Sequence, residues 1–460
     1  MKLTVLGGCG VRAPRLVSSA LHRQTQNGLT ELWLMDIDET KLHLIGGLCR
    51  QLASLAESPV RIFCTHDARA ALDGADYIVT TIRVGGEYGR VLDEKIALRL
   101  GVLGQETTGA GGFAMAMRSI PTLLEYAELA EKYAPRAWLF NFTNPAGLVT
   151  QAMHKRGFVR SVGICDSANL AQHDAARWFR IPPAQVQAEV FGLNHLSWAR
   201  KLWVDGRDML PELLANPSFC AESSLRIFDN ALLELMGLFL NEYLYYYYYA
   251  EQALFQIQQD PKTRGEEILE LNQALLNKLN SASYKDDPQA AIRTYFAYEK
   301  RRSSTYMHYA VPGGPSMEQA DQMVSEEFKE IPEEDEGYAG LTLDIITALQ
   351  TGNTLNIALN IPNQGAISGM AADDIVEVST RISGKEICPI HIGSIPSLPA
   401  NLMQTVKQYE RLAVDAILNR SIRMAVQALM SHPLVLSFPR ATMLVDEYLK
   451  AHAAYVGEWN

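Results

Sequence analysis

The chain has 460 residues, 48% hydrophobic and 20% charged, which is a globular composition long enough for two or three domains. A net charge of −11 leaves no basic surface for nucleic acid or an anionic membrane, and both are excluded as partners. Six scattered cysteines without paired spacing, a start that runs from Met1 straight into a strand, and no apolar stretch near the ~20 residues of a membrane span together predict a reduced, cytoplasmic protein.

Lys2–Leu6, Glu31–Met35, Val60–Cys64, Tyr77–Thr81, Trp138–Phe142 and Ser161–Ile164 read as six strands. Pro14–Gln24, Thr40–Leu55 and Ser119–Tyr133 read as helices connecting them. Such alternation predicts an α/β fold: a Rossmann-type doubly wound parallel sheet in residues 1–165, followed by a mixed α+β domain in residues 166–460. In the second part Val190–Trp203 reads as a strand and Leu225–Lys300 as mostly helical. Ile361–Ile392 reads as strands with turns at Asn363-Gln364-Gly365 and Ser383-Gly384. Ala400–His452 reads as long amphipathic helix broken at His432-Pro433, and the acidic run Glu326–Glu336 as a solvated loop.

Directly after the first strand, Gly8, Gly10 and Ala13 form G-x-G-x-x-A at the opening of a helix. Glycines there let the backbone approach a pyrophosphate that the free N–H groups of the helix start can bind. Asp36 ends the second strand, placed to grip the adenosine ribose and to repel a 2′-phosphate, so NAD is preferred to NADP. Three further runs are rich in small and polar residues: Thr81–Gly86, Gly104–Gly112 and Asn141–Gly147. In the last of these Asn141 could face a nicotinamide ribose and Asn144 a substrate hydroxyl.

Cys165 falls at the carboxyl end of the last strand, where ligands collect in open α/β sheets, and His195 follows thirty residues later. Sulfur and imidazole together would hold a borderline divalent ion such as Mn²⁺, Fe²⁺, Co²⁺, Ni²⁺ or Zn²⁺. Asp166 either takes part in chemistry or caps a helix starting at Ser167. Tyr243, in Asn241-Glu242-Tyr243-Leu244 followed by five tyrosines, belongs either to a core stripe or to a catalytic site, where its phenolate would need a neighbouring cation.

Taken together, the runs Gly104–Gly112, Asn141–Gly147, Gly192–Trp198, Asn241–Tyr246, Tyr409–Leu412 and Ser431–Leu434 resemble the family-four glycoside hydrolases. These are NAD- and divalent-metal-dependent glycosidases with a lactate/malate dehydrogenase-like fold, and the 6-phospho-β-glucosidase branch is the nearest. The resemblance implies hydrolysis of phosphorylated glycosides by NAD-assisted oxidation at carbon 3, elimination and water addition. It implies Cys165 and His195 as ligands of a metal, Mn²⁺ foremost, and Tyr243 as the base at carbon 2. Asp166 is implied as the acid on the leaving oxygen, a role that position has in α-cleaving members. Gly8, Gly10, Asp36 and Asn141 are the expected cofactor contacts; Arg83, Glu106, Asn144, Asn194 and Arg264 are the expected substrate contacts. A homodimer or homotetramer is expected from the same resemblance. Gly10-Val11-Arg12-Ala13-Pro14 replaces the hydroxyl-rich continuation common in the β-glucosidases, so an α-linked 6-phosphosugar or a uronide is an alternative substrate. A 2-hydroxy-acid dehydrogenase, which needs no metal pair, and a cofactor-binding regulator are the competing functions.

Overall fold

A computed structural model of the chain describes residues 1–281, 287–308, 310–311, 338–384 and 386–460. The acidic run 326–336 lies outside them. Six parallel strands, β1 (Lys2–Leu6), β2 (Glu31–Met35), β3 (Arg61–Thr65), β4 (Tyr77–Thr80), β5 (Trp138–Asn141) and β6 (Ser161–Gly163), lie in the order β3-β2-β1-β4-β5-β6. This is the strand order of a dinucleotide-binding sheet, and its direction reverses between β1 and β4. Helices cover the sheet, and the apolar runs of the central strands are buried: Leu3, Leu34, Val79 and Phe140 are all inaccessible to solvent.

The helix expected from Ser119 starts ten residues earlier and spans Gly109–Tyr133. Its first turn, Gly109-Ala-Gly-Gly, is poor helix-forming sequence. Packing explains the glycines: a Cβ on Gly111 or Gly112 would come within 2.2 Å of the Gln105 carbonyl or 2.4 Å of the Thr107 carbonyl. The helix start therefore presses against the loop that carries Glu106 and Thr107.

After β6 come β7 (Val186–Leu193), β8 (Leu196–Val204), β9 (Arg207–Asp208) and β10 (Phe239–Leu240), which form a small antiparallel sheet. The single strand expected over Val190–Trp203 is thus a hairpin, turned at Asn194-His195. The short strand β10 interrupts the helical stretch expected from Leu225. Then β11 (Leu355–Pro362), β12 (Ile375–Ser383) and β13 (Glu386–Pro389) return to the first sheet as an antiparallel extension, joined where Asn360 pairs with Gly163 of β6. The C-terminal helices are Ser397–Asn419, Ile422–Ser431 and Phe438–Ala451, with a further break at Arg420 beyond the expected one at His432. Among the described residues no helix is long and apolar enough to cross a membrane, and the six cysteines are free thiols.

Candidate active site

The Gly-rich turn after β1 is pinned to β2. Gly7 and Gly8 both donate to the Met35 carbonyl, at 2.9 and 2.8 Å, and a Cβ on Gly8 would lie 2.7 Å from Leu34 Cα. Gly10 N–H donates to the Gly7 carbonyl at 3.1 Å, and the helix Ala13–His22 follows without a side-chain cap; in its first turn Ala13 N–H donates to the Gly10 carbonyl at 2.9 Å and Arg15 N–H to the Tyr295 hydroxyl at 3.1 Å. Asp36 closes the cradle: its Oδ2 accepts from Cys9 N–H at 3.1 Å and its Oδ1 from Ile37 N–H at 2.8 Å. Gly8, Gly10 and Asp36 are therefore brought together. Asn141 lies beneath them, fully buried. Its Oδ1 accepts from Thr80 Oγ1 at 2.9 Å and Thr143 N–H at 3.1 Å, and its Nδ2 donates to the Thr143 carbonyl at 3.3 Å, so its amide is spent on shaping the Asn-Pro turn. Asn144 is half-buried on that turn.

Cys165 leaves β6 and His195 occupies the β7–β8 turn; Cys165 Sγ and His195 Nε2 are 3.2 Å apart. That is less than the sum of the roughly 2.3 and 2.1 Å at which thiolate and imidazole hold a zinc-like ion, so both can reach one cation. Among the described residues no group of three or more His, Cys, Asp or Glu forms a metal-holding cluster. His195 takes a left-handed φ of 60° to point inward, an uncommon conformation for a residue with a Cβ. Burial pushes the imidazole down to about 4 despite the raising influence of Asp166 and Glu106, so it is neutral at pH 7. Its Nδ1 meets Thr107 Oγ1 at 2.8 Å, and that hydroxyl donates to Gln105 Oε1 at 2.9 Å. In the tautomer whose Nδ1–H donates to Thr107, Nε2 keeps its lone pair facing sulfur. Burial, then the charges of Glu377 and Asp166, push the Cys165 thiol well above its usual range, with partial relief from Ser167.

Tyr243 stacks flat on His195, with centroids 3.7 Å apart and planes within 4°. Asn241 holds it there: Oδ1 accepts from Tyr243 N–H at 3.0 Å, and Nδ2 donates to the Ser167 carbonyl at 3.2 Å and Ser197 Oγ at 3.1 Å. Burial and the Glu242 charge push the phenol well above its ordinary range, while a hydrogen bond with the Tyr306 hydroxyl pulls it back. Asp166 is exposed beside the pair and accepts from Ser167 N–H at 3.1 Å, so it does cap the short turn that starts there.

The cations expected at the anion end are already partnered. Arg83 and Arg90 grip Glu106 at 2.9 and 2.8 Å; Arg90 also binds Glu94 at 2.7 Å, and Glu94 Oε2 accepts from Gly265 N–H at 2.7 Å. Burial opposes the Glu106 charge, but Arg90 and Arg83 outweigh it and hold the carboxyl far below its usual range. Arg264 binds Glu267 at 3.0 Å, Thr305 Oγ1 at 2.9 Å and the Arg302 carbonyl at 2.8 Å. Asn194 links the metal pair to the sheet: Oδ1 accepts from Gly147 N–H at 3.3 Å and Nδ2 donates to Glu377 at 3.4 Å. Sequence reasoning did not assign roles to Thr107, Gln105, Tyr306 or Glu377. Thr107 and Gln105 sat inside a run already marked as unusual, whereas nothing around Tyr306 or Glu377 departs from ordinary composition.

A sequence profile described as Family 4 glycosyl hydrolase matches residues 2–180, and the profile of that family's C-terminal domain matches residues 190–435. The chain is 30% identical to the probable 6-phospho-beta-glucosidase of Bacillus subtilis (strain 168), over 100% of its own length and 98% of the relative's. It is 28% identical to the 6-phospho-beta-glucosidase of Escherichia coli (strain K12), over 99% and 96% of the two chains. Among solved structures it resembles the 6-phospho-beta glucosidase from Thermotoga maritima with manganese, NAD+ and glucose-6-phosphate, at a TM-score of 0.83 and 26% identity over 100% of each chain.

Proposed function

The chain belongs to family 4 of the glycosyl hydrolases, and we propose that it hydrolyses 6-phosphoglycosides, 6-phospho-β-glucosides foremost, with NAD⁺ and a manganese ion as cofactors. The observation that carries this reading is the convergence of Cys165, His195 and Tyr243 at the carboxyl end of β6, the sheet edge at which the Gly8–Asp36 cradle also follows β1 and β2. The relatives' 6-phospho-β-glucosidase names and the Thermotoga maritima complex support the substrate and both cofactors.

When bound, NAD⁺ supplies a reversible hydride acceptor and the divalent ion supplies Lewis-acid charge. Gly8, Gly10 and the helix start would hold the pyrophosphate and Asp36 the adenosine ribose. Cys165 Sγ and His195 Nε2 would hold the ion, with Thr107 keeping Nε2 deprotonated. Tyr243 takes the proton from carbon 2 of the sugar, which a ketone at carbon 3 acidifies. Asp166 gives a proton to the leaving oxygen. Arg83 and Arg264 would face the phosphate from the places where Glu106 and Glu267 hold them, and Glu106, Asn144 and Asn194 orient hydroxyls. Assembly as a homodimer or homotetramer is part of the same proposal, checked by light scattering.

Nitrophenyl 6-phospho-β-glucoside, its α-anomer and a nitrophenyl glucuronide, assayed with NAD⁺ and Mn²⁺ under reducing conditions, test the reading. Expected is turnover of the β-phosphoglucoside that needs both cofactors, with solvent deuterium at carbon 2 of the product. Preference for the α-anomer would reverse the linkage, preference for the glucuronide would replace the substrate class, and a carbon 2 free of deuterium would remove Tyr243 as base.

A further inference from the structure

Tyr243 is 6% exposed, with one ring face covered by His195. A base in that position needs a partner that orients its hydroxyl and a route by which its proton reaches water. Tyr306 has the geometry for both. Its hydroxyl is hydrogen-bonded to the Tyr243 hydroxyl, and the two rings meet edge to face at 6.3 Å. Unlike Tyr243, Tyr306 is 40% exposed as a residue, so its ring stands between Tyr243 and solvent, although packing around its hydroxyl pushes that phenol well above its usual range.

Tyr306 is also firmly placed. It follows the helix Pro288–Ser304; its N–H donates to the Ser303 carbonyl at 3.1 Å, and the preceding Thr305 Oγ1 accepts from the buried Arg264 at 2.9 Å. Arg264 donates in addition to the Arg302 carbonyl at 2.8 Å. A half-exposed tyrosine whose backbone is tied to the helix end before it, and whose hydroxyl meets another hydroxyl, is not an ordinary core aromatic.

We propose that Tyr306 is a positioning residue for Tyr243 and the proton link between it and solvent, an inference that rests on Tyr243 being the carbon 2 base. Tyr243 first gives its hydroxyl proton to the Tyr306 oxygen as the Tyr306 hydroxyl proton passes to water, and the phenolate so formed takes the proton from carbon 2. The same hops in reverse return a solvent proton to carbon 2, and neither phenol is oxidised or consumed.

The test compares wild type with Tyr306→Phe for kcat, KM and deuterium at product carbon 2 in D₂O, and adds Tyr306→Ala with and without imidazole as a small proton carrier. Expected for Tyr306→Phe is a kcat about tenfold lower, KM nearly unchanged, and a fall from complete to partial deuterium as the abstracted proton returns to its own carbon. Imidazole should restore both kcat and deuterium in Tyr306→Ala, a rescue that a purely structural role does not permit. Full deuterium in Tyr306→Phe, at any kcat, overturns the link, as does failure of imidazole to restore exchange in a folded, NAD-binding Tyr306→Ala. Absence of deuterium in wild type is a separate outcome: it removes the base assignment itself.

Discussion

Thr107 determines which nitrogen of His195 is free. Its oxygen lies 2.8 Å from His195 Nδ1, and by accepting Nδ1–H it leaves Nε2 bare toward Cys165. Outer hydrogen bonds of this kind typically set metal affinity by 10–100-fold. Thr107→Val is expected to weaken Mn²⁺ binding by about that factor, and Thr107→Ser to bind like wild type. Calorimetric titration of Mn²⁺ into the apoprotein checks it; equal affinity for the valine variant would separate Thr107 from the metal pair.

Cys165→Ser replaces a soft donor by a hard, neutral hydroxyl that has no reason to lose its proton. Turnover stimulated by metal should vanish while NAD⁺ affinity, followed by fluorescence, stays at the wild-type value. Retained stimulation by Mn²⁺ would take Cys165 out of the metal site.

At the other end of the cleft, Asp36 braces the Gly-rich turn through Cys9 N–H. Losing that charge-assisted bond and the ribose contact should cost on the order of 1.5–3 kcal/mol, about 10- to 100-fold in NAD⁺ affinity. In Asp36→Ala the preference for NAD⁺ over NADP⁺ should narrow as well, since the negative charge facing a 2′-phosphate is gone. An unchanged ratio of the two dissociation constants contradicts the assignment.

Asp166 is exposed, and its side chain accepts from the neighbouring Ser167 N–H at 3.1 Å. Asp166→Asn keeps that cap but removes an acid. Alkyl 6-phosphoglycosides, whose leaving groups need a proton, should slow about 10²-fold, whereas nitrophenyl glycosides should hardly change. Equal slowing of both would make Asp166 a cap and nothing more.

Glu377 provides the pH prediction. It is inaccessible to solvent on β12, and burial pushes it up to about 7 against the lowering bonds from Ser197, Asn360 and Asn194. An acid raised in the folded state above its unfolded value near 4.3 favours folding in its neutral form. Stability on this account is greatest below about pH 4.3, declines as pH rises toward 7, and is level above that. Glu377→Gln is neutral throughout, so its Tm should gain on wild type between pH 5 and pH 8. A Tm difference independent of pH, measured by scanning calorimetry, would argue against the shift.

The parallel half was legible because its strands are short apolar runs separated by helical stretches, and all six emerged within a residue or two of their expected bounds. The β7–β8 hairpin was not, because its turn is Asn194-His195 instead of Asn-Gly, and the left-handed residue is His195. The first turn of the Gly109–Tyr133 helix was hidden for a related reason: its glycines serve contact with Gln105 and Thr107 at the expense of helix propensity. Cys165, His195 and Tyr243 were visible as residue types in runs that resembled a known family. Their supports Thr107, Tyr306 and Glu377 act only through three-dimensional contacts, and neither periodicity nor spacing records those.

His195 holds its left-handed turn without the ease that glycine or asparagine would bring, at a cost of order 1–3 kcal/mol met by the rest of the fold. Selection for thermal robustness and selection for turnover therefore pull position 195 in opposite directions. A library of this chain sorted on heat resistance alone should accumulate glycine there, and its most durable members would be the ones that no longer hold a metal.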